Sequence, residues 1–205
     1  MTSRKFEIRA LCMMLFVGIL PISGCTSLRN PTGSNPTNDN LNQPVGESVA
    51  AINFTRLAVY LPATPVGWTN ETLFGATLIL PIMGSDRGAN RTWSQAYKKY
   101  VKDQTDVETT AYVGIMDSAF HMVGWWTVWN KGFIEFDTTT GYLHHTIVKG
   151  YPAYEAYDQN TNVYSVYIAV NKRILVFINS HNVDHDTFYN TFVNPIDYDG
   201  LAGLQ

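Results

Sequence analysis

The pattern of apolar and polar positions divides the chain into three parts. Residues 10–20 form a continuous apolar run behind a short charged start, whereas residues 26–48 contain few apolar side chains. From Val49 to the end of the chain, apolar residues recur at short intervals. A stretch of about 155 residues with this pattern is long enough to form one hydrophobic core. We therefore predict a single folded domain over residues 49–205.

Within this domain, alternating apolar and polar residues predict an antiparallel sheet. The last five predicted strands are joined by links of two to five residues, and links this short join neighbouring antiparallel strands. Pro81 indicates an edge strand or a bulge, because proline cannot donate a hydrogen bond to the next strand. The predicted strands cover residues 76–83, 107–115, 133–136, 142–148, 151–157, 163–170 and 173–178.

Three other stretches are predicted to be helical. A short helix ends before Pro62, an apolar helix lies within residues 117–132, and a last helix begins at Asp184 and ends before Pro195. Residues 93–101 also carry apolar side chains at helical spacing, which alone predicts an amphipathic helix. Together the elements predict an α+β fold, a mostly antiparallel sheet of about six to eight strands packed with two or three helices.

Several motifs resemble those of uncharacterised prokaryotic lipoprotein domains. They are LPATPVGW, DSAF, KGYPAYE, RILVFI and NPIDYDGLAGL, in this order between residues 53 and 204. The resemblance implies the PsbP-like α/β sandwich, in which residues 93–101 form a strand rather than a helix. The motifs consist of turn and packing residues, so the resemblance implies a fold but no activity.

The start of the chain has the features of a lipoprotein signal peptide. Three basic residues precede the apolar run, which as a helix is about 16 Å long and too short for a hydrocarbon core of about 30 Å. The run leads into ISGC, which resembles the lipobox of bacterial lipoproteins, where acyl chains are attached to the cysteine sulfur. The other cysteine, Cys12, leaves with the signal. We therefore predict cleavage after residue 24 and lipidation of Cys25.

These features predict where the protein works. Residues 1–24 are the signal peptide, and residues 25–48 are a lipidated, flexible tether because they are too polar to form a core. The predicted location is the extracytoplasmic side of the cell envelope, at the outer membrane in a cell with two membranes. The lipid binds the membrane, and the domain is predicted to bind an envelope protein or a small ligand.

Charge argues against a nucleic-acid partner. The chain has 14 basic and 17 acidic residues, and loss of residues 1–24 removes three and one of these, leaving a net charge of −5. The densest basic group is Lys98, Lys99 and Lys102, which is too small to predict binding to a phosphate backbone.

No sequence motif for catalysis or for a cofactor is present. The chain lacks G-x-S-x-G, a P-loop and a dinucleotide fingerprint, and lipidation would use the remaining cysteine. His181 and His185 are four residues apart and could share a metal ion, but Asp184 between them is favoured as a helix cap. His144 and His145 are adjacent on a predicted strand, so their side chains should point to opposite faces.

Aromatic residues are the main candidates for binding. Tyrosines crowd the second half of the chain, where they form either a core belt or a ligand surface. In the strand over residues 163–170, Tyr167 lies on the side opposite the apolar residues, and an exposed Tyr154 would share that side if the two strands pair. We therefore predict a non-enzymatic binding or accessory domain that uses Tyr154 and Tyr167. The alternative is a metal-dependent enzyme or metal-binding lipoprotein that uses His181 and His185.

Overall fold

A computed structural model describes residues 49–81, 90–119 and 135–204, which all belong to one compact unit. These residues form nine strands and three short α-helices, and a π-helix, Tyr189–Val193, continues the second helix. The strands are β1 (Trp68–Asn70), β2 (Phe74–Pro81), β3 (Asn90–Lys102), β4 (Thr110–Asp117), β5 (Phe136–Thr138), β6 (Gly141–Val148), β7 (Tyr151–Asp158), β8 (Val163–Val170) and β9 (Ile174–His181). The helices are α1 (Phe54–Ala58), α2 (His185–Phe188) and α3 (Tyr198–Ala202).

The nine strands form a single antiparallel sheet in the order β1-β3-β4-β9-β8-β7-β6-β5. Strand β2 pairs with the first part of β3, on the same edge as β1. Strands β5 to β9 follow one another as hairpins, as their short links predicted. The link between β6 and β7 consists of two residues with positive φ, Lys149-Gly150, which matches the right-handed twist of a hairpin. The link between β8 and β9 contains three residues, 171–173, rather than the predicted two, because β9 begins at Ile174; the first two of the three have positive φ.

The predicted balance of strands and helices is wrong. The expected α+β sandwich had six to eight strands and two or three packed helices, whereas the described residues form a nine-stranded sheet with three helices of four or five residues each. Strand β1 is three residues long and too short to produce an alternating pattern in the sequence. The domain is therefore mostly sheet.

Residues 93–101 lie within strand β3, so the helical prediction from their spacing is wrong. Strand β3 lies between β4 and the β1–β2 edge and buries side chains on both faces. Ala96 and Tyr100 face one side, and Trp93 and Tyr97 face the other. Apolar residues occupy both the odd and the even positions of this strand, so the alternation typical of a strand is lost. The spacing of the apolar residues then resembles that of a helix.

The main core lies between one face of the sheet and the helical segments, and this side is called the helix side here. Helix α2 and the π-helix that continues it are together called the last helix here, and the short α3 follows them in the chain. Phe188 and Phe192 from this last helix are fully buried on the helix side, against Val113 and Ile178 from the central strands. The last helix begins as predicted, because the Asp184 carboxylate accepts a hydrogen bond of 2.8 Å from the backbone N–H of residue 187. Burial of this apolar side stabilises the C-terminal segment on the sheet.

The opposite face of the sheet is also buried at its centre. Met116, Leu175 and Phe177 are at most 8% exposed on this side. The ring of Phe177 covers Gly114, where a Cβ atom would lie only 1.9 Å from the ring. Central strand β9 is therefore buried on both faces.

A buried ion pair attaches the segment before α1 to the end of the sheet. Asp117 on β4 accepts hydrogen bonds from Nε and Nη2 of Arg173 at 2.6 and 2.8 Å, and both side chains are buried. The same carboxylate accepts the backbone N–H groups of Ile52 and Ala119 at 2.7 and 2.9 Å. Arg173 also donates to the carbonyl of Ala50 at 2.8 Å. One carboxylate thus joins three separate parts of the chain.

Several predictions fall outside the described residues. These include the signal peptide, the lipidation of Cys25, the tether over residues 25–48 and most of the apolar helix within residues 117–132. Among the helices of the described segments, none has the length and apolar character needed to cross a membrane.

Candidate functional site

Tyrosines line up across the helix side of the sheet at one end of β6, β7 and β8. Tyr142 lies directly opposite Tyr157, which lies directly opposite Tyr164 on the next strand. The next row contains His144 opposite Glu155. His185 and Tyr189 from the last helix also lie on this surface. We call the surface the aromatic face; it consists of Tyr142, His144, Glu155, Tyr157, Tyr164, His185 and Tyr189.

Glu155 is the centre of the aromatic face. Its carboxylate accepts hydrogen bonds from the hydroxyl groups of Tyr142 on β6 and Tyr189 on the last helix. Nε2 of His185 lies 3.4 Å from its Oε1 atom, and the Glu155 side chain is 13% exposed. A nearly buried carboxylate needs such partners, because an unpaired one would lose its hydration without compensation.

Burial, followed by the hydrogen bond to Glu155, raises the pKa of Tyr142 and of Tyr189. Both hydroxyl groups therefore remain protonated donors at neutral pH, which is the state that the Glu155 carboxylate requires. The aromatic face thus carries one fixed negative charge between two fixed donors.

The rings of the aromatic face contact one another. Tyr157 stacks on Tyr164 with 4.3 Å between centroids, and Tyr142 stacks on His144 at 4.5 Å. The edge of His185 meets Tyr164 at 5.5 Å. Contacts of this kind fix the rings while leaving part of each in contact with solvent, since all five are only partly buried or exposed. The result is a rigid, open surface.

His144 also interacts with an acid at the edge of the sheet. Its Nε2 atom lies 2.8 Å from Oδ1 of Asp137, and the two side chains are 45% and 78% exposed. His145 lies on the other face, where its ring meets the ring of Tyr154 at 5.1 Å. The two histidines point to opposite faces, as predicted.

Negative charge predominates around the aromatic face. Residues 135–204 contain eight acidic and three basic residues, and two of the acids, Asp197 and Asp199, lie beside Tyr151 at the other end of the sheet. Of the three, Arg173 is paired with Asp117, and Lys149 and Lys172 lie in turns at the other end of strands β6 and β8. Strands β5 to β8 themselves contain no lysine or arginine. A positively charged ligand would therefore meet little repulsion from these strands.

The raised tyrosine pKa values predict how stability depends on pH. Burial, then a hydrogen bond to Asp199, raises the pKa of Tyr151 to about 12, and burial is the first cause of the raised pKa of Tyr100 and Tyr198. Each of these groups favours the protonated form more strongly when folded. The contribution of each hydroxyl group to the free energy of unfolding is therefore complete below the ordinary tyrosine pKa of about 10, and it is lost as the pH rises above that value.

We expect the free energy of unfolding to fall above about pH 10, by up to about 1.4 kcal/mol per pH unit for each of the buried Tyr100 and Tyr198, and by less for Tyr151, which solvent partly screens. Urea unfolding of the full chain between about pH 8 and pH 11 measures this, and the part of the phenolate absorbance that comes from Tyr100 and Tyr198 should appear only together with unfolding. A free energy that stays constant up to about pH 11 would contradict the burial of these hydroxyl groups.

The structure places the predicted ligand-binding pair side by side. Tyr154 and Tyr167 lie directly opposite each other on β7 and β8, on the face away from the helices. Tyr167 is partly exposed, with its hydroxyl 3.5 Å from Oδ1 of Asn179. Tyr154 is only 5% exposed, so the expectation that it is exposed is wrong. A binding role for the two tyrosines stays a prediction.

His181 and His185 do not share a partner. His181 is the last residue of β9, and its Nδ1 atom lies 3.2 Å from the carbonyl oxygen of Glu108. His185 begins α2 beside Glu155 and Asp186. In the part of the chain that the structure describes, no group of three or more His, Cys, Asp or Glu side chains is placed to hold a metal ion.

A cavity of about 460 Å³ lies elsewhere, beside the segment before α1. It is lined by residues 49–53 together with Arg56 and Arg173. Arg173 already donates to Asp117 and Ala50, so Arg56 is the charged group that this cavity offers. The aromatic face combines more chemically distinct groups and is the stronger candidate site.

The sequence interpretation missed the residues at the centre of this site. Glu155 is the only charged residue in the predicted strand over residues 151–157, and that isolated charge was the available signal. Comparisons with protein-family models, with curated proteins and with solved structures find no match for the chain.

Proposed function

We propose that the protein is a lipid-anchored binding domain of the cell envelope, and that it binds its ligand on the aromatic face. The observation that carries this proposal is the arrangement of Glu155. Two tyrosine hydroxyl groups fix its carboxylate among rings that stay partly accessible. Rigid rings beside an oriented charge give both contact area and specificity to a ligand at a small cost in conformational entropy.

Photo-crosslinking tests whether this face is used. A photoreactive phenylalanine analogue at position 157 of the full chain places the probe on the aromatic face. The control position is 74, because Phe74 is 42% exposed and lies on strand β2, at the edge of the sheet opposite β5. We expect a discrete adduct in cells from position 157 that is absent from position 74 and is lost on Glu155→Gln. Equal labelling from both positions, or none from either, would argue against a binding face here.

The anchor is tested separately at Cys25. The order Ile22-Ser23-Gly24-Cys25 predicts that the mature chain begins with an acylated cysteine. Mass spectrometry of the mature N-terminus should find the added acyl mass, and Cys25→Ala should leave an unprocessed precursor without it. A mature chain that begins elsewhere, or that carries no acyl mass, would remove the basis for an envelope location.

A further inference from the structure

We infer that the aromatic face binds an extended basic segment of a partner protein, through lysine or arginine side chains. This inference rests on the proposed function, since it assigns the chemistry of the ligand to the same face. The ammonium or guanidinium groups would lie against the ring of Tyr157 and near the carboxylates of Glu155 and Asp137. Tyr164 supports the Tyr157 ring from behind, because its own faces are stacked against Tyr157 and Phe188.

Charge complementarity favours a cationic partner over a neutral one. The negative faces of tyrosine rings attract cations, and nearby carboxylates strengthen that attraction. Elsewhere in this domain tyrosines already contact lysines: Lys99 lies 5.7 Å from the centroid of Tyr112, and Lys149 lies 6.0 Å from that of Tyr198. Because β5 to β8 contain no lysine or arginine, these strands cannot supply such a cation to the aromatic face.

Glu155 can accept further hydrogen bonds from a ligand. A carboxylate offers about four lone-pair positions, and the hydroxyls of Tyr142 and Tyr189 occupy two of them. Nε2 of His185 is 3.4 Å from Oε1, which is long for a hydrogen bond, and the His185 side chain is 48% exposed. An incoming ammonium group could therefore reach Oε1 by displacing a weak contact.

The shape of the site favours an extended segment. The three tyrosines of the row lie on adjacent strands, which are separated by about 4.8 Å each, so the row is about 10 Å long. In an extended peptide, side chains on one face recur about every 7 Å. Two basic residues at positions i and i+2 would thus lie along the row, with one near Glu155 and the other towards Asp137.

Binding of a defined peptide tests the inference. The probe is the synthetic peptide KSKSKSK, titrated into the detergent-solubilised full chain by isothermal calorimetry, with ESESESE as the charge-reversed control. We expect KSKSKSK to bind and ESESESE not to bind. Tyr157→Leu and Glu155→Gln should each weaken binding about tenfold, because each removes one cation contact. Two variants are used because Glu155→Gln also alters the contact with Tyr189.

Matched variants separate the site from general charge. Asp103→Asn removes one exposed acid, as Glu155→Gln removes one acid, and Phe74→Leu removes one exposed ring. Both should change binding by less than about twofold. Equal weakening by Asp103→Asn and Glu155→Gln would overturn the inference, because binding would then depend on net charge. Competition by spermine at the same concentration as the peptide would also overturn it, in favour of a small polyamine.

A neutral oligosaccharide distinguishes failure of the inference from failure of the proposed function. If maltohexaose binds and Tyr157→Leu abolishes its binding, the aromatic face is a binding site and its ligand is a neutral glycan. That result overturns the inference of a basic partner segment and leaves the proposed function standing. If KSKSKSK and maltohexaose both fail to bind and position 157 gives no adduct in cells, both proposals fall. An adduct at position 157 without KSKSKSK binding overturns only the cationic partner.

Discussion

Asp117→Asn should lower the free energy of unfolding by about 3–5 kcal/mol, the loss expected when one partner of a buried ion pair is removed. The variant is almost the same size as the native side chain, so the loss comes from charge and hydrogen bonding rather than from a cavity. Against a typical stability of about 5–15 kcal/mol, a loss of this size would leave the domain marginally stable.

The reason lies in the donors around this carboxylate. Four N–H bonds from Arg173, Ile52 and Ala119 converge on the two oxygens of Asp117. An asparagine keeps one acceptor oxygen and replaces the other with an NH₂ group, which is itself a donor. The variant would therefore leave the buried Arg173 without a counter-ion and at least one donor without an acceptor.

Urea unfolding of the full chain measures the effect. Asp103→Asn is the matched control, because Asp103 is exposed, and it should change stability by less than about 0.5 kcal/mol. In a double-mutant cycle with Arg173→Met, the two losses should not add, because the second change removes the unpaired charge that the first one leaves. A loss below about 1 kcal/mol for Asp117→Asn would show that solvent reaches this pair.

The part of the fold that the sequence predicted correctly is the series of hairpins from β5 to β9. The two-residue link 149–150 and the three-residue link 171–173 fix which strands pair and in which register, because local turn geometry determines both. The strands that pair over long distances were harder to predict. Strand β9 pairs with β4, although about 60 residues separate them in the chain, and no local signal records such a contact.

The register of the β6–β7 hairpin also contained information about the site. Once Val148 is opposite Tyr151, His144 must lie opposite Glu155, and Tyr142 opposite Tyr157. The contributions of His185 and Tyr189 could not be predicted in this way, because they depend on how the last helix packs on the sheet. Periodicity shows which side of a helix is apolar, but it does not show which polar side chains that side places beside a carboxylate.

The burial of Tyr154 has a similar origin. The sequence interpretation assumed one buried face and one exposed face, which is the common arrangement in antiparallel sheets. Here the second face is buried at its centre as well, as Met116 and Phe177 show. Alternation in a single strand shows which residues share a face, but it does not show whether that face is covered.

Phe192→Ala should also lower the free energy of unfolding by about 3–5 kcal/mol, as truncation of a large buried ring does. Phe192 is fully buried on the π-helix, where its ring meets the edge of Trp68 at 5.0 Å and lies 5.2 Å from the ring of Tyr100. It therefore joins the C-terminal segment to β1 and β3. Its removal would leave a cavity beside rings that are too rigid to fill it.

Two variants provide the comparison for this prediction. Phe192→Leu keeps most of the volume and should cost less than about 1.5 kcal/mol, whereas Phe74→Ala removes a ring that is already 42% exposed and should cost less than Phe192→Ala. Urea unfolding followed by tryptophan fluorescence measures all three. If Phe192→Ala costs no more than Phe74→Ala, the packing of the last helix on the sheet contributes little to stability. In that case the position of His185 and Tyr189 beside Glu155 must depend on the hydrogen bonds of the aromatic face itself.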